Sequence, residues 1–266
     1  MNVPLTIAGF DPSSGAGITA DLMVFAAHGL YGTACITSLT VQSTTGVHRF
    51  EPVSPQIVAE SLGCVTSDLP PNGIKIGMLA TKEIVNTVAD FLCSPPPKKI
   101  PIVLDPVLRS SSGHPVLDEE GVRALDRLFP LISWITPNVE ELSLLSGREI
   151  AGAEGVPAAA EALQRSYPNL NVVVTGGHLA SPDDFLRTAE GKEHWFGGER
   201  IDSTSTHGTG CAFSSALLCR LMLGDRPVEA VATAKAYVAE AIRSAPGLGK
   251  GKGPLNFLWS LRARKL

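Results

Sequence analysis

Four stretches of this 266-residue chain bring together residue types that can hold or move charge. In Thr206-His207-Gly208-Thr209-Gly210-Cys211-Ala212, small residues stand directly before an Ala/Leu-rich run. Small residues at a helix start let backbone N–H groups approach a ligand, and the helix dipole favours an anion there. Gly208 and Gly210 permit the positive φ values that such a cradle needs. Cys211 would fall in the first turn, where the dipole is expected to lower the pKa of a thiol. A plain strand-to-helix turn with its Cys in the core would carry the same residues, so the motif does not decide between the two.

The other three stretches are Asp11-Pro12-Ser13-Ser14-Gly15-Ala16-Gly17, Leu104-Asp105-Pro106-Val107 and Ile135-Thr136-Pro137-Asn138-Val139-Glu140-Glu141. The first is a polar loop with Asp21 one turn inside the helix that follows. It lacks the Gly-Lys-Ser/Thr of a phosphate loop, and Asp21 reads equally as a solvated acid complementing the helix dipole. Asp105 closes an apolar run, where a carboxylate is costly unless paired, metal-bound or open to a cleft. Asn138 and Glu141 stand one turn apart at a helix start. That spacing suits oxygen ligands of a hydrated Mg²⁺, and it equally suits a reciprocal helix cap.

Short apolar runs alternate with amphipathic stretches along the whole chain, which predicts βαβ units and a parallel sheet. Strands are expected over Met1 to Ile7, Ala34 to Val41, Ile74 to Met78, Ile100 to Leu104, Ile132 to Thr136 and Asn171 to Val174. Val47 to Val53 alternates with polar residues and reads as an edge or flap strand. Asp183 to Ile201 reads as an antiparallel pair turned by Glu190-Gly191-Lys192. Helices are expected from Ile18, over Pro55 to Val65, Lys82 to Leu92 and Glu119 to Leu128, and from Asn138. Further helices span Pro157 to Arg165, Thr209 to Leu223 and Pro227 to Ser244. Ser94 to Lys99 reads as a turn. Each of the four chemical stretches then follows the end of a parallel strand, the rim where such sheets bind ligands. No repeat or composition shift marks a boundary, and one domain over residues 1–266 is expected.

Composition narrows the function classes. Hydrophobic residues make up 44% and charged residues 18%, which suits a folded core rather than disorder. A net charge of −4 gives no basic footprint for nucleic acid. No apolar run reaches membrane-spanning length, and the N-terminus lacks a signal-like pattern. Cys35, Cys64, Cys93, Cys211 and Cys219 are odd in number and lack metal spacing, so free thiols and a cytoplasmic setting are expected. All but Cys211 read as small core residues, and His28, His48 and His194 as surface or packing residues.

The chain resembles the hydroxymethylpyrimidine/phosphomethylpyrimidine kinases of thiamin biosynthesis. The likeness rests on Leu5 to Gly9, Asp11 to Gly17 with Ala20-Asp21-Leu22, and Val41-Gln42-Ser43-Thr44-Thr45-Gly46-Val47. It continues through Lys75 to Leu79, Asp105-Pro106-Val107, Thr136-Pro137-Asn138, Gly176-Gly177-His178, Thr206 to Cys211 and Leu248 to Asn256, in order over almost the whole chain. Cys211 is a specific sign, because most ribokinase-like sugar kinases have Asp there.

The resemblance implies a ribokinase-like three-layer α/β/α sandwich with a mostly parallel central sheet and a small β flap. It implies ATP-dependent phosphorylation of 4-amino-5-hydroxymethyl-2-methylpyrimidine and then of its monophosphate. Gln42 would bond the pyrimidine, Asp21 would lie near its polar edge, and Gly9, Met78 and Val107 would line the pocket. Cys211 would stand at the general-base position, with Gly208, Thr209 and Gly210 stabilising the transferred phosphoryl group. Asp105, Asn138, Glu141, Thr175 and Gly177 would serve ATP and its phosphates, with Asp105 and Glu141 on Mg²⁺. The tail around Gly249 to Gly253 would lie along the nucleotide. The chain departs from the family's pattern at Thr175, where Lys is usual, and at Phe10 and Met23. Arg109 and Ser111 also depart from it, with Arg109 read as a partial stand-in for the Lys. A pyridoxine or pyridoxal kinase of the same fold, or a catalytically weakened pyrimidine binder, would share most of these features. By analogy with relatives the protein would form a homodimer, for which the strand edge over Val41 to Val53 offers a surface.

Overall fold

The computed structural model describes residues 2–94, 100–110, 113–177 and 179–263, with backbone only at 262 and 263. Most of the expected turn through 94–99, together with Ser111 and His178, lies outside the described residues. In chain order the elements are β1 (Pro4–Phe10), α1 (Gly17–Ala27), β2 (Thr33–Ser43), β3 (Gly46–Pro52), α2 (Pro55–Asp68), β4 (Gly73–Ile76) and α3 (Lys82–Cys93). They continue with β5 (Ile102–Leu104), α4 (Glu119–Ala124), β6 (Trp134–Ile135), α5 (Val139–Ser146), α6 (Val156–Ser166) and β7 (Asn171–Val174). Last come β8 (Asp184–Arg187), β9 (Glu193–Phe196), α7 (Thr209–Met222), α8 (Pro227–Arg243) and α9 (Trp259–Ala263). The helix expected through Leu128 leaves α geometry at Leu125 and ends in a 3-10 turn.

One sheet runs in the order β3-β2-β1-β4-β5-β6-β7-β8-β9. The strands from β2 to β7 are parallel to their neighbours, while β3, β8 and β9 join antiparallel. Alternation along the strands sends side chains into two separate layers. Leu5, Ile7, Ile74, Ile76, Leu104, Ile135, Val172 and Val174 pack with α2, α3, α5 and α6. Val103, Trp134 and Val173 face the other way, onto α1, α7 and α8. Thr6 and Lys75 stand between those flanking aliphatics in sequence, so the same parity carries them to the α1/α7 layer. This is the expected three-layer sandwich, with the β2–β3 hairpin as its flap.

The parallel strands end at one rim. There the hydrogen-bond ladder runs on past the strands: Gly77 N–H donates to Ile7 O, Asp105 to Ile76 O, Thr136 to Leu104 O and Thr175 to Pro137 O, at 2.8–3.0 Å. The stretches that carry Asp105 and Asn138 are therefore fixed by backbone to the sheet rather than left as free loops.

Candidate active site

Beneath the rim lies a charged cluster that is closed to water. Asp21, on α1, is fully buried. It accepts hydrogen bonds from Thr6 Oγ1 at 2.6 Å, Ser215 Oγ at 2.7 Å, and Lys75 Nζ at 3.0 and 3.1 Å. This corrects both sequence readings of Asp21: it is neither a solvated first-turn acid nor the polar edge of a pocket, because its acceptor positions are filled from inside. Burial alone would lower the Lys75 pKa, but Asp21, Cys211 and Asp105 together outweigh it and raise the group above its usual value. A side chain at position 77 would place its Cβ 2.8 Å from Lys75 Nζ, so Gly77 leaves room for the ammonium.

The Lys75 ammonium also stands 3.8 Å from Asp105 Oδ2, at the end of β5. Asp105 accepts from Ser214 Oγ at 3.2 Å and from the Cys211 thiol. The pKa of Asp105 is raised, first by burial and further by Asp21, with Lys75 opposing. Gly208 begins α7 at φ +84°, with no side-chain cap on the helix. A Cβ at Gly208 would fall 1.8 Å from Gly15 O, so the cradle loop docks directly on the first loop. Burial, with the charges of Asp105 and Asp21, pushes the Cys211 thiol up to about 12 despite Lys75. That corrects the expectation of a lowered thiol: although Cys211 is only half-buried, removal of its thiol from water outweighs the helix dipole.

Asn138 and Glu141 form the reciprocal cap. Glu141 N–H donates to Asn138 Oδ1 and Asn138 N–H to Glu141 Oε2, both at 2.9 Å. The Asn138 oxygen thus accepts from the helix backbone. Glu141 is buried, and burial followed by the Asp105 charge pushes it up to about 8. Among the described residues no three His, Cys, Asp or Glu side chains converge on one point. Asp105 and Glu141 do form a buried like-charge pair, which a hydrated divalent cation taking few protein ligands would relieve. Thr175 is held through its backbone, and Gly177 is exposed with open space where a Cβ would be.

Gly9, Ser38 and Met78 meet where β1 bulges against β2; a Cβ at Gly9 would lie 2.9 Å from Ser38 Oγ and 3.2 Å from Met78 Sδ. Val107 is half-buried in the turn after Asp105. Gln42 lines a cleft under the flap and bonds Asp11. Asp11 also accepts from Ser13 N–H, Ser13 Oγ, Ala16 N–H and His207 Nε2 at 2.7–2.9 Å. Burial would raise Asp11, but these bonds outweigh it and bring it down to about 2. The glycine-rich tail packs on Thr44 in the flap turn, because its glycines allow close approach there. Arg109 is exposed and donates to Gly113 O at 3.4 Å. Cys64 and Cys93 are also exposed, not core residues.

This arrangement sets a helix N-terminus, a thiol and two carboxylates together at the rim, with His207 joining the helix start to the cleft. Residues 11–256 match the phosphomethylpyrimidine kinase family. The chain belongs to that family. It is 41% identical over 257 residues to the hydroxymethylpyrimidine/phosphomethylpyrimidine kinase of Aquifex aeolicus, covering 96% of this chain and 100% of the relative. The phosphomethylpyrimidine kinase structure from Clostridium difficile superposes with a TM-score of 0.79 at 35% identity, over 91% of this chain and 100% of that one. An ADP complex of Bacillus subtilis pyridoxal kinase superposes with a TM-score of 0.87 at 31% identity, over 99% and 100%. Against the family's pattern, the Lys75–Asp21 pair and the Asp11–His207 bond are what sequence reasoning missed. A lysine between two buried isoleucines was the available signal for the first, since a charge there must find a partner. Nothing in the spacing of Asp11 and His207, 196 residues apart, marked the second.

Proposed function

We propose that the chain is an ATP-dependent kinase that phosphorylates the hydroxymethyl group of 4-amino-5-hydroxymethyl-2-methylpyrimidine and then the resulting monophosphate. The observation that carries this reading is the meeting of the α7 first turn, with Cys211, and the buried carboxylates Asp105 and Glu141 at the rim of the parallel strands. Family membership supports it, and ADP bound to the Bacillus subtilis relative supports ATP as donor.

Phosphoryl transfer depends mainly on positioning and on stabilising the charge of the transferred group. Backbone N–H groups of Gly208, Thr209 and Gly210 are assigned to that charge, and the open backbone of Gly177 with Thr175 and Asn138 to the nucleotide phosphates. Mg²⁺ would be held by Asp105 and Glu141 and would supply charge neutralisation. Gln42 reads the ring, while Gly9, Met78 and Val107 shape its pocket. Asp21 acts from beneath, through Lys75. Cys211 enters as a thiol whose S–H points to Asp105, so as the new bond forms its sulfur would accept the hydroxyl proton while its own proton passes to the Asp105 carboxylate. In the second step the acceptor is a phosphate oxygen with no proton to remove, so the reliance on Cys211 should lessen. Free cysteines support a cytoplasmic enzyme, and the net charge of −4 supports a small molecule rather than nucleic acid as its partner. The exposed Leu39 and Val41 on β2 support a homodimer.

ADP release with Mg-ATP, offering the pyrimidine alcohol, its monophosphate and pyridoxal in parallel, tests this reading. The expected result is turnover of both pyrimidines, with Cys211→Ala lowering kcat of the first step roughly 10²-fold or more and of the second step less. Turnover of pyridoxal alone would move the assignment to the pyridoxal kinases. Binding of pyrimidine without ADP release would leave a binding protein.

A further inference from the structure

A cleft of roughly 240 Å³ lies beside the reacting end, between the flap turn and the glycine-rich tail. Its walls run from Gln42 to Val47 and include Ser110, His207, Gly251 and Lys252. Among the described residues that line it, Lys252 carries the one ammonium, and the Asp11 carboxylate bonds two of them, Gln42 and His207. His207 forms part of the wall and immediately precedes Gly208, so the cleft and the anion cradle share a border.

The segment that carries Lys252 is built for fixed placement. A Cβ at 249 would lie 2.3 Å from Thr44 Oγ1, and one at 251 would lie 2.2 Å from Thr44 O. Lys250 and Gly251 N–H groups donate to Thr44 Oγ1 at 3.2 and 3.4 Å. On the far side of Lys252, Gly253 O accepts from His207 N–H at 3.0 Å, and Gly253 N–H donates to Thr204 O at 3.0 Å. The backbone is therefore pinned on both sides of residue 252, at the edge of a cleft whose other end is Gln42.

The two substrates of the proposed reaction differ by one group. A phosphomonoester brings nearly two negative charges and three strong acceptor oxygens at neutral pH, and the alcohol brings neither. An ammonium that lines the same cleft as the hydroxyls of Ser43, Thr45 and Ser110 suits that group. We propose that Lys252 binds the phosphate of the phosphorylated pyrimidine and so determines specificity in the second step. This rests on the kinase reading above.

The test compares wild type, Lys252→Met and Lys252→Arg in each step separately, alongside calorimetric binding of the alcohol, the monophosphate and inorganic phosphate without ATP. Lys252→Met should raise KM and Kd for the monophosphate about 10-fold or more, leave the alcohol within about 2-fold, and be largely rescued by Lys252→Arg. Equal losses with both pyrimidines, or no loss with either, would overturn the assignment. A rise in KM for ATP in both steps would give Lys252 to the nucleotide phosphates and overturn it as well. If the wild type turns over neither pyrimidine, the kinase reading fails. The binding arm still decides on Lys252, because preference for monophosphate over alcohol must vanish in Lys252→Met alone.

Discussion

The molecule holds its functional residues in two different ways on the two sides of the rim. Beneath it, Asp21, Lys75, Asp105, Ser214 and Ser215 are sealed in, and each charge is answered by partners that are themselves buried. Above it, Gln42, His207 and Lys252 border a cleft shaped by glycines that let one backbone rest on another: Gly208 on Gly15, Gly251 on Thr44. The underside fixes charge and tolerates no loss of a partner. The cleft fixes shape and tolerates no added atom. The two sides should therefore break in different ways.

The largest effect is expected beneath the rim. Lys75→Met strands the Asp21 carboxylate without its cation, which costs about 3–5 kcal/mol of stability, read as a lowered urea midpoint. Adding Asp21→Leu should recover most of that loss. A single variant as stable as wild type would mean the pair does not organise the underside.

At the cleft, Gly208→Ala forces an L residue to φ +84° and drives its Cβ against Gly15 O. Strain of this kind costs on the order of 1–3 kcal/mol. Thermal unfolding should shift down by several degrees, and both phosphorylation steps should slow together. If only stability changed, the docking of the two loops would have no part in shaping the cradle.

The smallest effect separates charge from shape by pH. Glu141 has its folded pKa raised to about 8, well above the usual carboxylate range. Between pH 4.5 and about 8 the unfolded chain has released the proton that the folded protein still holds. Stability from this group therefore falls as pH rises through that window and levels off above it. In Glu141→Gln that decline should be absent, so the variant gains a few degrees of Tm over wild type at pH 8.5 and little at pH 5. Parallel curves would show that Glu141 is ionised in the folded protein throughout.

Much of the fold can be read from the chain because periodicity reports burial on both sides of a parallel strand. Ile74-Lys75-Ile76 is a clear case, in which the aliphatics announce the strand and the lysine announces a buried partner. What spacing could not show was the identity of that partner, since Asp21 has the same sequence setting as a solvated helical acid. Asn138 and Glu141 were ambiguous for a related reason, as a cap and a ligand pair need the same separation. For Cys211, the dipole of α7 was legible while the burial and carboxylates that outweigh it were not, because they come from β5 and α1. The cleft was the least legible part. Thr44, His207 and Gly251 meet through backbone contacts that leave no trace in side-chain pattern.

Those contacts also set an order of assembly. Asp11 bonds His207 across 196 residues, and Thr44 bonds Gly251 across 207. Closing such long loops is slow relative to pairing neighbouring strands. During synthesis, β1 to β7 can form while the tail is still inside the ribosome, with the flap turn facing nothing. The substrate cleft is therefore the last part of the protein to come into existence, and a chain released before residue 249 would carry a sheet, a flap and an unwalled site.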